Sequence, residues 1–119
     1  MHAQLETLLE IQDLKSQRRD LQTTTHERQV EEEVFNVSID EAIETLDGKI
    51  VEMEESLPTQ IRSRYRRLAG RTERAVVPVI SGTCYGCFVS IPTAVASDSE
   101  RNEAINHCDN CGRFLYVID

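Results

Sequence analysis

The chain has 119 residues and a formal net charge of −8, with 21 acidic and 13 basic side chains and four cysteines. This length allows one ordinary domain or two very small ones, which excludes a barrel or a doubly wound enzyme. With 39% hydrophobic and 29% charged residues, the composition predicts a folded, soluble chain. Because residues 1–6 lack a signal-peptide pattern and no apolar run reaches membrane-spanning length, we expect a cytoplasmic protein without a membrane partner.

The first part of the chain is typical of long helices. Residues 3–33 contain no proline or glycine, and Leu5, Leu8 and Ile11 recur at helical spacing. Residues 39–69 predict a second helix, with a break near Pro58. Its apolar residues follow the 4-3-4-3-4 spacing of a coiled-coil seam: Ile39, Ile43, Leu46, Ile50, Met53 and Leu57.

The connection between these helices is predicted as a turn at residues 35–38. Ser38 followed by Glu41 matches a capping box, which would open the second helix. Two striped helices joined by a short turn bury their stripes by packing antiparallel. We therefore expect residues 1–70 to form a coiled-coil hairpin, which a homodimer could stabilise further.

The remainder of the chain differs in character. Residues 71–75 predict a basic hinge, and residues 76–119 a small β-rich module with strands near 75–80 and 113–118. At this size the module cannot fold on apolar burial alone. The expected fold class is α+β, a helical hairpin followed by a four-cysteine ribbon.

All four cysteines fall in two Cys-x2-Cys pairs, Cys84/Cys87 and Cys108/Cys111, separated by 20 residues. This spacing is typical of one structural Zn²⁺ held by four thiolates, while redox pairs or an iron centre are the alternatives. We expect positive φ and close backbone approach at Gly86 and Gly112. For His107, next to a ligand, a structural or solvent-facing role is favoured over metal binding.

No nucleophile with a base and no phosphate-binding loop is recognisable, so we do not expect an enzyme. The charge is uneven: residues 1–57 carry fifteen acidic and five basic side chains, whereas residues 58–75 carry six arginines and one glutamate. The acidic total excludes coating of nucleic acid by bulk charge but allows local contact. The candidate contacts, with one arginine beyond this segment, are Arg62, Arg64, Arg66, Arg67, Arg71, Arg74 and Arg113.

Two interpretations of these arginines remain open. They could pair with Glu6, Glu10 and Asp13 of the opposite helix, or they could contact phosphates. With three tyrosines, three phenylalanines and no tryptophan, the aromatic residues are too few to predict base stacking.

The sequence resembles the bacterial C4-type zinc-ribbon proteins with an amino-terminal coiled-coil hairpin. The similarity is carried by residues 74–79, 82–87, 90–92 and 108–116, and more weakly by residues 8–14, 57–58 and Tyr65. The resemblance implies zinc ligation by the four cysteines and a nucleic-acid-binding or transcription-associated role. In some members it implies roles in secretion or flagellar regulation. The hairpin of this chain is shorter than in typical members.

A looser resemblance links the chain to bacterial RNA polymerase secondary-channel regulators, which also combine a coiled-coil hairpin with a four-cysteine zinc module. Their paired-aspartate tip motif is absent here, and residues 39–42 match it only in part. The alternative function is therefore a protein adaptor whose hairpin binds a larger machine. Its candidate contacts at the hairpin tip are Glu31, Glu32, Glu33, Asp40 and Glu41.

Overall fold

The computed structural model of the protein describes residues 1–28, 33–96 and 102–118, and it is elongated, with extents of 54 × 27 × 23 Å. Three helices come first: α1 (Ala3–Arg28), α2 (Glu33–Glu55) and α3 (Thr59–Ala69). Two ion pairs, Lys15 with Glu54 and Arg18 with Asp47, fix α1 and α2 as antiparallel neighbours. Arg18, which interrupts the apolar stripe of α1, thus finds its partner on the opposite helix.

The turn predicted at residues 35–38 is not found, because α2 already begins at Glu33. The capping-box signature at Ser38 is therefore inside a helix. A Ser or Asn in a helix interior costs only a few tenths of a kcal/mol, and residues 29–47 contain no proline or glycine that would stop the helix. Residues 29–32, including the predicted tip contacts Glu31 and Glu32, lie outside the described residues.

After α3 the chain forms a four-stranded sheet with one short helix. The elements are β1 (Val76–Ile80), β2 (Thr83–Cys84), α4 (Thr93–Ala96), β3 (Asn106–His107) and β4 (Phe114–Val117). The strand order is β2-β1-β4-β3, with a parallel central pair and antiparallel outer pairs. Ser81 and Gly82, which join β1 to β2, have φ of 51° and 74°, as a two-residue type I′ hairpin requires.

The sheet separates two hydrophobic cores. On one side, Val76 and Phe114 pack with Leu5, Leu8 and Ile11 of α1, which are all fully buried. The rest of that core comes from the other helices and the segment before β1: Ile50, Leu57, Tyr65, Leu68 and Ala75. Because the sheet shares this core with the helices, burial of apolar area holds the two parts of the chain together.

The second core lies on the opposite side of the sheet. Alternation along the strands turns Val77, Val79, Leu115 and Val117 toward Ile91 and toward the cysteines. The cysteine cluster is therefore attached to the face of the sheet opposite the core that the sheet shares with α1, α2 and α3.

Two side-chain amides bind the backbone of the central strands. The Gln12 amide, on α1, donates to the Val76 carbonyl at 3.0 Å and accepts from the Val76 N–H at 2.9 Å. The Asn102 amide makes the same pair of bonds to Val117, at 2.9 and 2.6 Å. No helix in the described part of the chain has the length and apolar character needed to cross a membrane.

Candidate metal centre and arginine surface

The two Cys-x2-Cys segments fold into knuckles with the same hydrogen bonds. In the first, the Phe88 N–H donates to the Cys84 carbonyl at 2.7 Å, and the Cys84 N–H donates to the Val89 carbonyl at 3.0 Å. In the second, the equivalent bonds run from Gly112 to Cys108 at 2.8 Å and from Cys108 to the Arg113 carbonyl at 2.9 Å. Because the same two backbone hydrogen bonds join equivalent positions, residues 84–89 and 108–113 form the same turn.

The four sulfur atoms converge on one point. All lie within 4.8 Å of one another, with 3.8 Å between the Sγ atoms of Cys84 and Cys111 and 3.6 Å between those of Cys87 and Cys108. Sulfurs placed ~2.3 Å from one Zn²⁺ in a tetrahedron are separated by about 3.8 Å. The donor set and its spacing therefore fit one zinc ion with small adjustments, whereas a disulfide would bring two sulfur atoms to about 2.05 Å.

The environment of the thiols differs between ligands. Burial raises the pKa of Cys84 to about 12, against the opposing effect of backbone N–H groups of the knuckle, and burial also raises the pKa of Cys108. In contrast, a hydrogen bond from the Asn110 side chain lowers the pKa of Cys87 to about 6. The Gly86 N–H also donates to the Cys84 sulfur at 3.4 Å. Such N–H donors stabilise a metal-bound thiolate.

The two knuckle glycines have different roles. Gly112 has φ of 78°, as predicted for a positive-φ position. Gly86 is not at a positive φ; in the first knuckle that conformation belongs to Phe88, at 62°. Gly86 instead allows close approach of the Arg113 side chain, which would have to shift if a Cβ atom stood 2.8 Å from it.

His107 is not one of the cysteine-site residues. It is exposed on β3, and its Nδ1 atom lies 4.0 Å from an Asp109 carboxylate oxygen. Among the described residues, the group able to hold a metal ion consists of the four cysteines alone. Four protein ligands complete a tetrahedral shell and leave no open position for water or substrate, which is typical of a structural site.

Residues 83–115 match the family of the C4-type zinc ribbon domain. The match confirms the zinc-ribbon resemblance for this part of the chain. Among solved structures, the CT398 protein from Chlamydia trachomatis is similar in fold, with a TM-score of 0.52 and 23% sequence identity. That similarity covers 86% of this chain but 45% of the CT398 chain, so this chain spans less than half of its length. A search among curated proteins finds no match.

The side chains of three candidate arginines donate hydrogen bonds to backbone carbonyls, in the zinc ribbon and its approach or at the break between α2 and α3. Arg62 donates to the Leu57 carbonyl at 2.9 Å, just beyond α2, and to the carbonyl of Glu55, the last residue of α2, at 3.4 Å. Arg71 donates to the Cys111 carbonyl at 3.3 Å. Arg113 donates to the Arg74 carbonyl at 3.0 Å and to Thr72 Oγ1 at 3.2 Å. No sequence pattern predicts these structural roles.

The other four candidates, Arg64, Arg66, Arg67 and Arg74, form no hydrogen bond or ion pair through their side chains within the described residues. The predicted alternative, pairing with Glu6, Glu10 and Asp13, is not found there either. Instead, the Asp13 carboxylate accepts a hydrogen bond from Gln17.

Two of these unpaired arginines line a cleft against the second knuckle. Arg64 and Arg67, three residues apart on α3, face it together with Arg71, Leu68 and Gly112. The cleft has a volume of about 430 Å³ and continues into a second one along Asp109, Asn110 and Arg113. Packing of α3 on the zinc ribbon thus gathers cationic side chains from three segments.

The aromatic residues include both buried and exposed side chains. Tyr65 and Phe114 are buried, but Tyr85 and Phe88 are exposed on the first knuckle with ring centroids 5.4 Å apart. Their position in and next to a Cys-x2-Cys loop is the sequence feature that could have indicated this exposure, since such loops project from the ribbon.

The predicted tip residues Asp40 and Glu41 are exposed on α2, and Glu33 is the first residue of that helix.

Proposed function

We propose that this chain is a non-enzymatic nucleic-acid-binding protein, in which a structural zinc ion holds the ribbon rigid and the arginine cleft binds phosphates. The observation that carries the proposal is the cleft of about 430 Å³ between α3 and the second knuckle. Arg64 and Arg67 line it without an acidic partner among the described residues. A guanidinium that is not already paired can form bidentate bonds to phosphate oxygens at no cost in broken ion pairs.

The acidic total of the chain is compatible with this function. A local cluster of guanidinium groups attracts phosphate over about one Debye length, roughly 8–10 Å at physiological salt, whereas the acidic groups on distant parts of α2 are largely screened. We therefore expect modest affinity that depends strongly on salt. The zinc ion would be held by the four cysteines, and such thiols suit a reducing compartment such as the cytoplasm.

The test is a fluorescence anisotropy titration of labelled RNA and DNA at low salt, with the double variant Arg64→Ala/Arg67→Ala. The matched control is Arg66→Ala, since Arg66 is exposed on the same helix but does not line the cleft. We expect the double variant to bind at least about tenfold more weakly than the control, with a shallower dependence on salt concentration. Equal binding by the two variants would overturn the proposal.

The competing function is a protein adaptor that contacts its partner through the hairpin. Asp40 and Glu41 of α2 are exposed and form no ion pair within the described residues. A basic partner could pair with them. If neither RNA nor DNA binds at low salt, the adaptor is favoured. A pull-down with the Asp40→Ala/Glu41→Ala variant then tests whether partners are lost.

A further inference from the structure

The first knuckle carries an exposed aromatic pair that the arginine cleft does not explain. The side chains of Phe88 and Tyr85 are 69% and 43% exposed, and their rings meet at an angle of 53°. Val89 next to them is 42% exposed. Large apolar side chains grouped in this way leave apolar area in contact with water, which is typical of a binding surface.

The backbone of Phe88 makes this exposure more informative. Its φ of 62° is the left-handed conformation, and Gly112 holds the equivalent position of the second knuckle at 78°. Glycine adopts that conformation without steric cost, whereas a bulky side chain does not. Since Phe88 is 69% exposed, little burial against the described residues compensates for the strain. Residues held in such conformations cluster at functional sites.

Cationic groups adjoin the aromatic pair. Tyr85 lines a cleft of about 280 Å³ together with Arg74, Arg113 and Gly86. Hydrogen bonds to the Arg74 carbonyl and to Thr72 hold the Arg113 guanidinium in place, and the absent Cβ of Gly86 makes room for it. The side chain of Arg74 has no partner among the described residues, so its charge is available to a ligand.

One acidic side chain lines the same cleft. Glu73 is directed toward α1, where its carboxylate lies 3.9 Å from Arg19 Nε. This pairing partly neutralises the carboxylate. The charge around Tyr85 is therefore net positive, which favours an anionic ligand over a cationic or a purely apolar one.

We propose that Tyr85 and Phe88 stack on unpaired bases of a single-stranded nucleic acid, whose phosphates contact Arg74. Bases offer flat π-faces to aromatic rings and phosphates offer charge to guanidinium groups, and the first knuckle presents both partners side by side. In a duplex the faces of the bases are already stacked on each other, so stacking on Tyr85 and Phe88 selects single strands. The inference rests on the proposed nucleic-acid function and names its substrate class.

Phe88→Trp provides a direct test, because the chain contains no other tryptophan. A 20-nucleotide oligouridylate should quench the fluorescence of this tryptophan at concentrations where anisotropy shows binding, and a blunt 20-base-pair duplex should not. Val51→Trp, at a 53% exposed position on α2, is the control and should not be quenched by either. Quenching of both tryptophans alike would contradict stacking at the knuckle.

A second variant, Phe88→Gly, separates binding from folding. Glycine suits a φ of 62°, and Phe88 contributes little burial, so the thermal midpoint should not fall. We expect the affinity for the oligouridylate to fall about tenfold while duplex affinity stays unchanged.

The outcomes distinguish the two proposals. The stacking proposal is overturned if single strand and duplex bind equally well, the tryptophan at position 88 is not quenched and Phe88→Gly keeps its affinity for the oligouridylate. Binding at the cleft lined by Arg64 and Arg67 then still stands. If neither nucleic acid binds at low salt, both proposals fail.

Discussion

Zinc affinity should fall steeply as the pH falls. Burial raises the pKa of Cys84 to about 12 and raises that of Cys108, so near pH 7 both thiols carry protons before the metal binds. Zinc requires thiolates, and each displaced proton makes the apparent affinity change about tenfold per pH unit. The two buried thiols together predict a change of about 100-fold between pH 6.5 and 7.5. The pKa of Cys87 is lowered to about 6, so this thiol adds to the pH dependence of zinc affinity mainly below pH 6.

Competition with a chromophoric chelator across this pH range measures how the apparent zinc affinity changes with pH. Calorimetry in two buffers of different ionisation enthalpy counts the protons released. Asn110→Ala is the matched variant: it removes the hydrogen bond that lowers the pKa of Cys87, so the slope near neutral pH should become steeper. Release of fewer than about two protons at pH 7 in the wild type would refute the reasoning that both buried thiols are protonated without metal.

Three further predictions concern stability. Phe114→Ala should lower the free energy of unfolding by about 3–5 kcal/mol in urea titrations, because Phe114 is 1% exposed in the core shared by sheet and helices; a loss below about 1 kcal/mol would contradict that core. Burial raises the pKa of Tyr65 above its usual 10.0, so stability is full below pH 10 and falls as the pH rises further; Tyr65→Phe should lose less stability in that range, as thermal melts at pH 8 and 11 can check. Gln12→Ala should cost about 1–3 kcal/mol, and a double-mutant cycle with Phe114→Ala should show coupling through Val76.

The metal ligands could be predicted from the sequence because a Cys-x2-Cys knuckle is a local pattern whose spacing alone places two sulfurs together. The two strands that carry the central parallel pair could be predicted for a similar reason, since runs of β-branched and aromatic residues favour strands. β2 and β3 are two residues each, too short for any periodicity, and they exist only because β1 and β4 provide pairing partners.

The roles of the arginines could not be predicted, because their partners are distant along the chain. Arg71 and Arg113 bind carbonyls 40 and 39 residues away, and no spacing rule connects such positions. The start of α2 was missed for a different reason. A capping box at Ser38 is a local preference, and it does not prevent a helix from starting earlier where nothing stops it.

The side-chain amides of Gln12 and Asn102 have a consequence for solubility. These amides bind the backbone N–H and carbonyl groups of Val76 and Val117, which point away from the β1–β4 pair. The strands β2 and β3 are too short to cover these outward-facing groups. The next outward carbonyl of β1, at Pro78, accepts from the Tyr85 N–H, and proline has no N–H to offer. An extended strand from another molecule thus finds no free backbone pair at these positions, which protects the sheet from edge-to-edge aggregation.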